Sequence, residues 1–286
     1  MGSVLVMASA FGFSTLAIFG KIAYQLGFTR NQMLTWRFGL SLPFLFLILY
    51  FARALPKNSK AFGRAVALGA VGIGIEATFF FLTLEKLGAA LTAIFLYLYP
   101  AFVALISHFF LKEKMSRAKW ACIVLSLVGC ILTVDLSGAS VSDPTGVAYG
   151  VMTGLLYAVY LLIGNRVMKD ENPLTVGSGI VLGAFVVFGL LAFIDSFSGV
   201  TFVMPASTTA WSVLFGMALL ASVVPFTTLY AGMKRVGPTQ ASILSTLEMV
   251  FTIILAAAFL GEKLTVTQGV GAFLILLSVL LIQRVR

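Results

Sequence analysis

The chain is written twice, and the two copies are separated by an odd number of apolar segments. FLYLYPAFVALISHFFLKEK, from Phe95 to Lys114, lies without a gap over LSTLEMVFTIILAAAFLGEK, from Leu244 to Lys263, at a displacement of 149 positions. Leu98 meets Leu247, Phe110 meets Phe259, and Glu113-Lys114 meet Glu262-Lys263. At the same displacement Phe81–Gly88 lies over Tyr230–Gly237, and a weaker echo, at a displacement of 145, pairs Met7–Ile22 with Met152–Val167. One pair is discordant: Tyr99 meets Glu248, a carboxylate in the middle of an apolar run.

Those runs are what the repeat is made of. Ten apolar segments cover roughly residues 4–26, 32–52, 64–84, 89–111, 117–135, 145–166, 174–196, 209–232, 239–260 and 265–283. They are called spans 1 to 10 below. Each is long enough to cross a hydrocarbon core of about 30 Å as a helix. Turn signals separate them, among them Leu55-Pro56-Lys57-Asn58, Gly138 to Pro144, Glu171-Asn172-Pro173 and Met204-Pro205. The residues are 60% hydrophobic and 10% charged, against about 25% charged in a soluble domain. That leaves too little polar surface to face water all round. The runs do not alternate with period two, which selects helices over barrel strands.

Spans 1–5 therefore correspond to spans 6–10, with the halves expected at 1–137 and 138–286. Five is odd, so the second half must cross in the opposite sense. The fold class expected is an all-α integral membrane protein: ten transmembrane helices as two inverted five-helix repeats around a central cavity. Two similar halves related in this way can open a midplane site to either side in turn.

The cations orient the chain. With both ends on one side, that side holds fourteen: Arg53, Lys57, Lys60, Arg64, Lys112, Lys114, Arg117, Lys119, Arg166, Lys169, Lys234, Arg235, Arg284 and Arg286. The opposite side holds four, Lys21, Arg30, Lys86 and Lys263, and Arg37 falls inside a span. The positive-inside rule places both termini in the cytoplasm. The net charge of +9 belongs to these short loops, so no nucleic-acid partner is expected. The first apolar run lacks a basic leader, and the stretch before Ala8-Ser9-Ala10 is too short for a signal peptide, so span 1 is read as retained. Cys122 and Cys130 lie eight residues apart on span 5, about 12 Å by helical rise, too far to bridge; they are packing residues.

Charges at membrane depth are expensive and mark function by default. Glu248 lies about ten residues into span 9. It reads either as a contact for a cationic substrate or proton, or as a polar clamp between helices. Glu76 lies at similar depth in span 3, and its repeat partner is Pro225, so it is present in one half only. Arg37 lies about four residues from Glu76 in depth, some 6 Å of rise; it either snorkels outward or leans inward to pair with Glu76, and an ion pair or gate is the favoured expectation. Tyr99, Tyr157 and Tyr230 gather at this depth, with Tyr97 and Tyr160 near them. Interface belts do not account for mid-membrane rings, and a ring beside a carboxylate can hold an organic cation. His108, the only histidine, has no Cys or carboxylate at ligand spacing and reads as packed; no metal or cofactor is expected. Gly146, Gly150 and Gly154 on span 6 and Gly179 and Gly183 on span 7 read as close helix contacts. There is no GxxxxGK[ST], GxSxG or HExxH, and Asp135, Asp143, Asp170 and Asp195 all lie at helix ends or in loops, which argues against an ATPase or an intramembrane enzyme.

TWRFGL in span 2, LYPAFVALISHFFLKEK in span 4, MKRVGPTQASIL between spans 8 and 9, and LEMVFTIILAAAFLGEKLTVTQGVGAFLILLSVLLI at the end resemble the ten-helix, EamA-type branch of the drug/metabolite transporter superfamily. The resemblance covers essentially the whole chain. It implies that spans 1–4 and 6–9 surround a cavity and that spans 5 and 10 support it from outside. It departs at Met249, where the family usually has proline; span 4 keeps its Pro100. Span 9 is therefore expected to be the straighter of the two. The function expected is secondary transport of a small organic metabolite, an amino acid or related amine, in the export direction, with protons or a counter-solute as coupling partner. The alternatives are a passive channel and a lipid flippase. The setting expected is the cytoplasmic membrane, as a monomer or weak homodimer.

Overall fold

A computed structural model describes residues 1–134, 143–169, 171–261 and 264–284. The boundary expected at 137/138, the turn signal beginning at Gly138, and Asp135, Asp170, Glu262, Lys263 and Arg286 lie outside the described residues.

Among the described residues all regular structure is helical, and these helices make up the ten spans. Spans 1 and 2 are single helices, Gly2–Gln25 and Arg30–Phe51; so are span 5 (Arg117–Thr133), span 6 (Pro144–Val167), span 7 (Pro173–Phe197) and span 10 (Val266–Ile282). The sequence dictates where they start. Asn58, Ser116, Asp143, Asn172, Ser207 and Thr265 each cap an N-terminus with a side-chain oxygen, satisfying donors that the helix itself leaves free.

The remaining crossings are irregular, and the irregularities repeat. Span 3 passes through a π-helical stretch, Leu68–Ile73, and span 8 through another, Leu219–Val223. Span 3 runs into span 4 through Gly88 (φ 78°, ψ 173°), and span 8 into span 9 through Gly237 (φ 84°, ψ 163°). These two glycines are 149 positions apart, the displacement of the sequence repeat, and both adopt a backbone that only glycine reaches without strain. Span 4 then breaks between Leu96 and Tyr99, and span 9 between Ser245 and Leu247. The expectation of a straighter span 9 is therefore corrected. The break does not need proline, because Thr246 turns the chain by bonding its N–H and its hydroxyl to Ile243 O, at 3.2 and 2.7 Å.

Packing exchanges the halves. Span 1 lies on span 8 as span 6 lies on span 3; span 2 lies on span 7, and span 5 on span 10. Glycines set the approach. A Cβ on Gly154 would meet Phe95 O at 2.5 Å, and one on Gly183 would meet Val66 O at 2.0 Å. Spans 5 and 10 touch through Gly129 and Gly271, and Ser278 Oγ donates to Cys122 O at 2.7 Å. They flank the bundle and line none of its central space. Cys122 and Cys130 are buried and unbridged. Large apolar side chains such as Phe273, Leu280 and Phe193 lie on the outer surface, which lipid would cover.

Candidate functional site

At the centre lies a cavity of about 480 Å³, within the range of small-molecule sites. All eight spans 1–4 and 6–9 contribute to its wall, from Phe13 and Ala17 on span 1 to Thr252 on span 9. Its floor is made by Tyr157, Tyr160, Phe226 and Leu229, and it rises past Glu76, Phe80 and Ala93 to Arg30, the first residue of span 2. The cavity thus opens on the face opposite the chain ends. On the terminal face the second piece of span 4, Tyr99–Phe109, packs on the first piece of span 9, Pro238–Ser245, and closes it.

The helix break in span 9 explains the role of Tyr99. Thr246 N–H turns to Ile243 O, so Ser242 O lacks its helical donor, and the Tyr99 hydroxyl donates to it at 3.1 Å. This bond ties span 4 to span 9 beneath the floor. The repeat puts Glu248 at the mirrored position. A carboxylate cannot donate to a carbonyl when ionised, so no equivalent tie is made. The Glu248 carboxylate lines the cavity instead, with Tyr97 in the same wall.

Arg37 does not pair with Glu76. It turns to span 8, where Nε donates to Ser222 Oγ at 2.7 Å and Nη2 donates to Ala221 O. Pro225 is the reason. It has no N–H to return to Ala221 O four residues earlier, and the Arg37 guanidinium supplies the missing donor. Ser41, one turn further along span 2, donates to Ala218 O at 3.1 Å, and Ser9 on span 1 donates to Pro225 O at 3.1 Å. Three side chains thus satisfy carbonyls of the irregular part of span 8. Arg37 is 5% exposed.

Glu76, by contrast, lines the cavity with no hydrogen bond or ion pair among the described residues. The tyrosines form a connected floor. Tyr99 and Tyr157 meet edge to face at 4.8 Å, and Tyr157 stacks on Tyr160 at 5.8 Å. Tyr230 lies apart from this wall. It is 0% exposed and fills the space left by Gly164 and Gly177, so it packs spans 6, 7 and 8 behind the floor and does not reach the cavity. Phe80, Phe81 and Arg30 were not singled out in the sequence. Arg30 lies over the Phe81 ring at 3.9 Å, a cation–π contact at the mouth. His108 is packed against Trp120, with Nδ1 3.0 Å from Glu113 O. Among the described residues, no cluster of His, Cys, Asp or Glu is placed to hold a metal ion.

On the terminal face, polar contacts join the halves. Glu113 accepts from Thr239 Oγ1 at 2.7 Å and from Lys119 Nζ at 3.0 Å. Glu171 accepts from the backbone N–H groups of Lys57 and Asn58 at 3.2 and 3.1 Å. On the opposite face Lys86 pairs with Asp143 at 2.7 Å. That contact and the Thr145 hydroxyl hold the Asp143 carboxyl well below the ordinary carboxylate range.

Comparison with known proteins agrees with this architecture. A solved crystal structure superposes with a TM-score of 0.82 over 100% of this chain and 98% of the other, at 18% identity. The uncharacterized transporter YyaM of Bacillus subtilis is 26% identical over 97% of this chain and 92% of its own length. The uncharacterized inner membrane transporter YicL of Salmonella typhimurium is 25% identical over 79% of this chain and 74% of its own. The family model described as the EamA-like transporter family matches residues 1–135 and again residues 144–284. The chain is a multi-pass membrane transporter and belongs to the EamA-like transporter family.

Proposed function

We propose that this protein is a secondary transporter that carries a small amine-bearing organic solute by alternating access. One observation carries the reading: a cavity walled by eight helices is open at one end and closed at the other, and the two ends are built from repeated halves. Exchanging the conformations of the halves would close the open end and open the closed one. The breaks at Tyr97–Leu98 and Thr246 lie where the two ends meet, and a broken helix bends at less cost than an intact one. The cation bias supports cytoplasmic termini, so the cavity described here faces outward. The inner membrane named for YicL supports a cytoplasmic-membrane location. Export is the direction proposed, driven by a proton, a counter-solute or the solute's own gradient. A Glu248 carboxylate that takes up and releases a proton would provide the coupling.

A channel of the same fold is the competing reading, and counterflow separates the two. Proteoliposomes loaded with an unlabelled amine take up the labelled amine transiently above equilibrium if the protein is a carrier. Uptake that only approaches equilibrium, whatever the internal load, rejects the carrier.

A further inference from the structure

We infer that the solute is an organic cation without a carboxylate, and that Glu76 receives its ammonium group. This rests on the transporter reading above and narrows it, because an amino acid would need a cationic partner for its carboxylate as well.

The cavity offers none that is without a partner in the protein. Two arginines and two glutamates line it: Arg30, Arg37, Glu76 and Glu248. Both cations are committed elsewhere. Arg37 spends Nε and Nη2 on Ser222 and Ala221 and presents only 5% of its surface. Withdrawing it would leave Ala221 O unpaired beside Pro225, so span 8 holds it in place. Arg30 lies at the mouth, over the Phe81 ring at 3.9 Å, with Nε donating to Asn31 Oδ1 at 3.0 Å. The carboxylates are disposed the other way. Both are partly exposed to the cavity. Glu248 has the Arg37 guanidinium as an electrostatic neighbour, whereas Glu76 has no hydrogen bond or ion pair among the described residues.

The surroundings of Glu76 suit a cation. Phe80 and Phe81 follow it on span 3, and Phe13, Tyr157 and Tyr160 line the same space. Aromatic faces attract an ammonium group and carry no donor for a carboxylate, the tyrosine hydroxyls apart. Arg30 on Phe81 shows that a cation rests on one of these rings. The repeat gives a further reason to assign the contact to Glu76. Its partner is Pro225, so the acid serves no structural role shared by both halves.

The test uses three probes of matched shape on the purified full-length protein: 2-phenylethylamine, L-phenylalanine and 3-phenylpropionate. A second cation series of alkylamines and tetraalkylammonium ions covers other sizes. Binding is read as a saturable shift in melting temperature, and transport as counterflow in proteoliposomes. The inference expects at least one cation to bind, with its carboxylate-bearing counterpart about tenfold or more weaker and the pure anion silent. Glu76→Gln should weaken the cation by a similar factor, while Glu76→Asp retains most of the affinity; the melting temperature of each unliganded variant reports whether it is folded. Phenylalanine or phenylpropionate binding as tightly as the amine would overturn the inference. So would a folded Glu76→Gln protein with unchanged affinity for the cation, or the failure of every cation to bind. Cation binding without counterflow would leave the ligand assignment standing and reject the transporter reading instead. Counterflow of phenylalanine alone would do the reverse.

Discussion

Arg37 Nε donates to Ser222 Oγ at 2.7 Å, and the same guanidinium reaches Ala221 O. A charged side chain at membrane depth is thereby used as the backbone donor that Pro225 cannot supply. Lysine has no planar fork to serve both acceptors. Arg37→Lys and Arg37→Met should each lower the melting temperature in detergent, through a loss of about 1–3 kcal/mol of stability for the unpaired carbonyl. Ser222→Ala should cost less. In a double-mutant cycle Arg37 and Ser222 should couple by about 0.5–2 kcal/mol. Additive effects would separate the two residues.

The glycines divide into two kinds, and alanine scanning should distinguish them. At Gly88 and Gly237 a Cβ meets nothing within 4 Å, but φ is 78° and 84°. Alanine there should cost about 1–2 kcal/mol through the backbone alone. At Gly183 a Cβ would lie 2.0 Å from Val66 O, so spans 3 and 7 must separate. That should cost about 1–3 kcal/mol and should be partly relieved by shortening side chains nearby. No such relief is expected at Gly237. Thermal unfolding of each variant reads both.

Thr239 and Glu113 hold the closed face. The position that the repeat assigns to Thr239 in the first half is Ala90, which has no hydroxyl, so this tie is special to the terminal face. Thr239→Val should raise the population open to that side. Ser107 is a suitable reporter, since it is buried on the second piece of span 4 and its hydroxyl has no partner among the described residues. Ser107→Cys should react with a thiol reagent several times faster in the Thr239→Val background. An unchanged rate would show that the bond does not restrain the face.

Lys86 and Asp143 should give a pH signature on the other face. The carboxyl of Asp143 titrates lower in the folded protein than in the unfolded chain. Its contribution is therefore fully present above the unfolded value, about 3.9, and is lost as pH falls through the depressed folded value. The difference in melting temperature between wild type and Asp143→Asn should be flat from pH 8 to about 5 and should close in more acidic solution. Both groups are exposed, so the difference should be small and sensitive to salt.

Much of this was legible in the sequence, because it depended on pattern. Hydropathy gave ten crossings, and the displacement of 149 positions predicted which helices correspond; Gly88 and Gly237 obey it to the residue. Glu76, Glu248, Tyr99 and Tyr157 were legible as mid-membrane polar groups, and all four line one cavity. What depth alone could not give was direction. Arg37 and Glu76 are close in height, yet the guanidinium turns to span 8, and the signal was Pro225, which creates the vacancy. Tyr230 shares the depth of the other rings but stands behind the wall, where Gly164 and Gly177 make room for it. Proline was the wrong indicator of the break in span 9, because a threonine that bonds back to the chain breaks the helix as well. In the sequence Arg30 reads as a loop cation and Phe80 and Phe81 as ordinary apolar residues; only the tertiary fold brings them to one cavity.

In a carrier of this architecture one cavity opens to one face at a time. Two cysteine reporters in oriented proteoliposomes test it directly. Ala93 lines the open side, and Ser242 is buried in the closed contact; native Cys122 and Cys130 are 1% and 2% exposed and give little background. With an impermeant thiol reagent, Ala93→Cys should be labelled only from the face opposite the termini. Ser242→Cys should be labelled only from the terminal face. Conditions that increase one rate, such as Thr239→Val for Ser242→Cys, should decrease the other. Both sites labelled at once, with rates that rise together, would contradict alternating access and describe a channel.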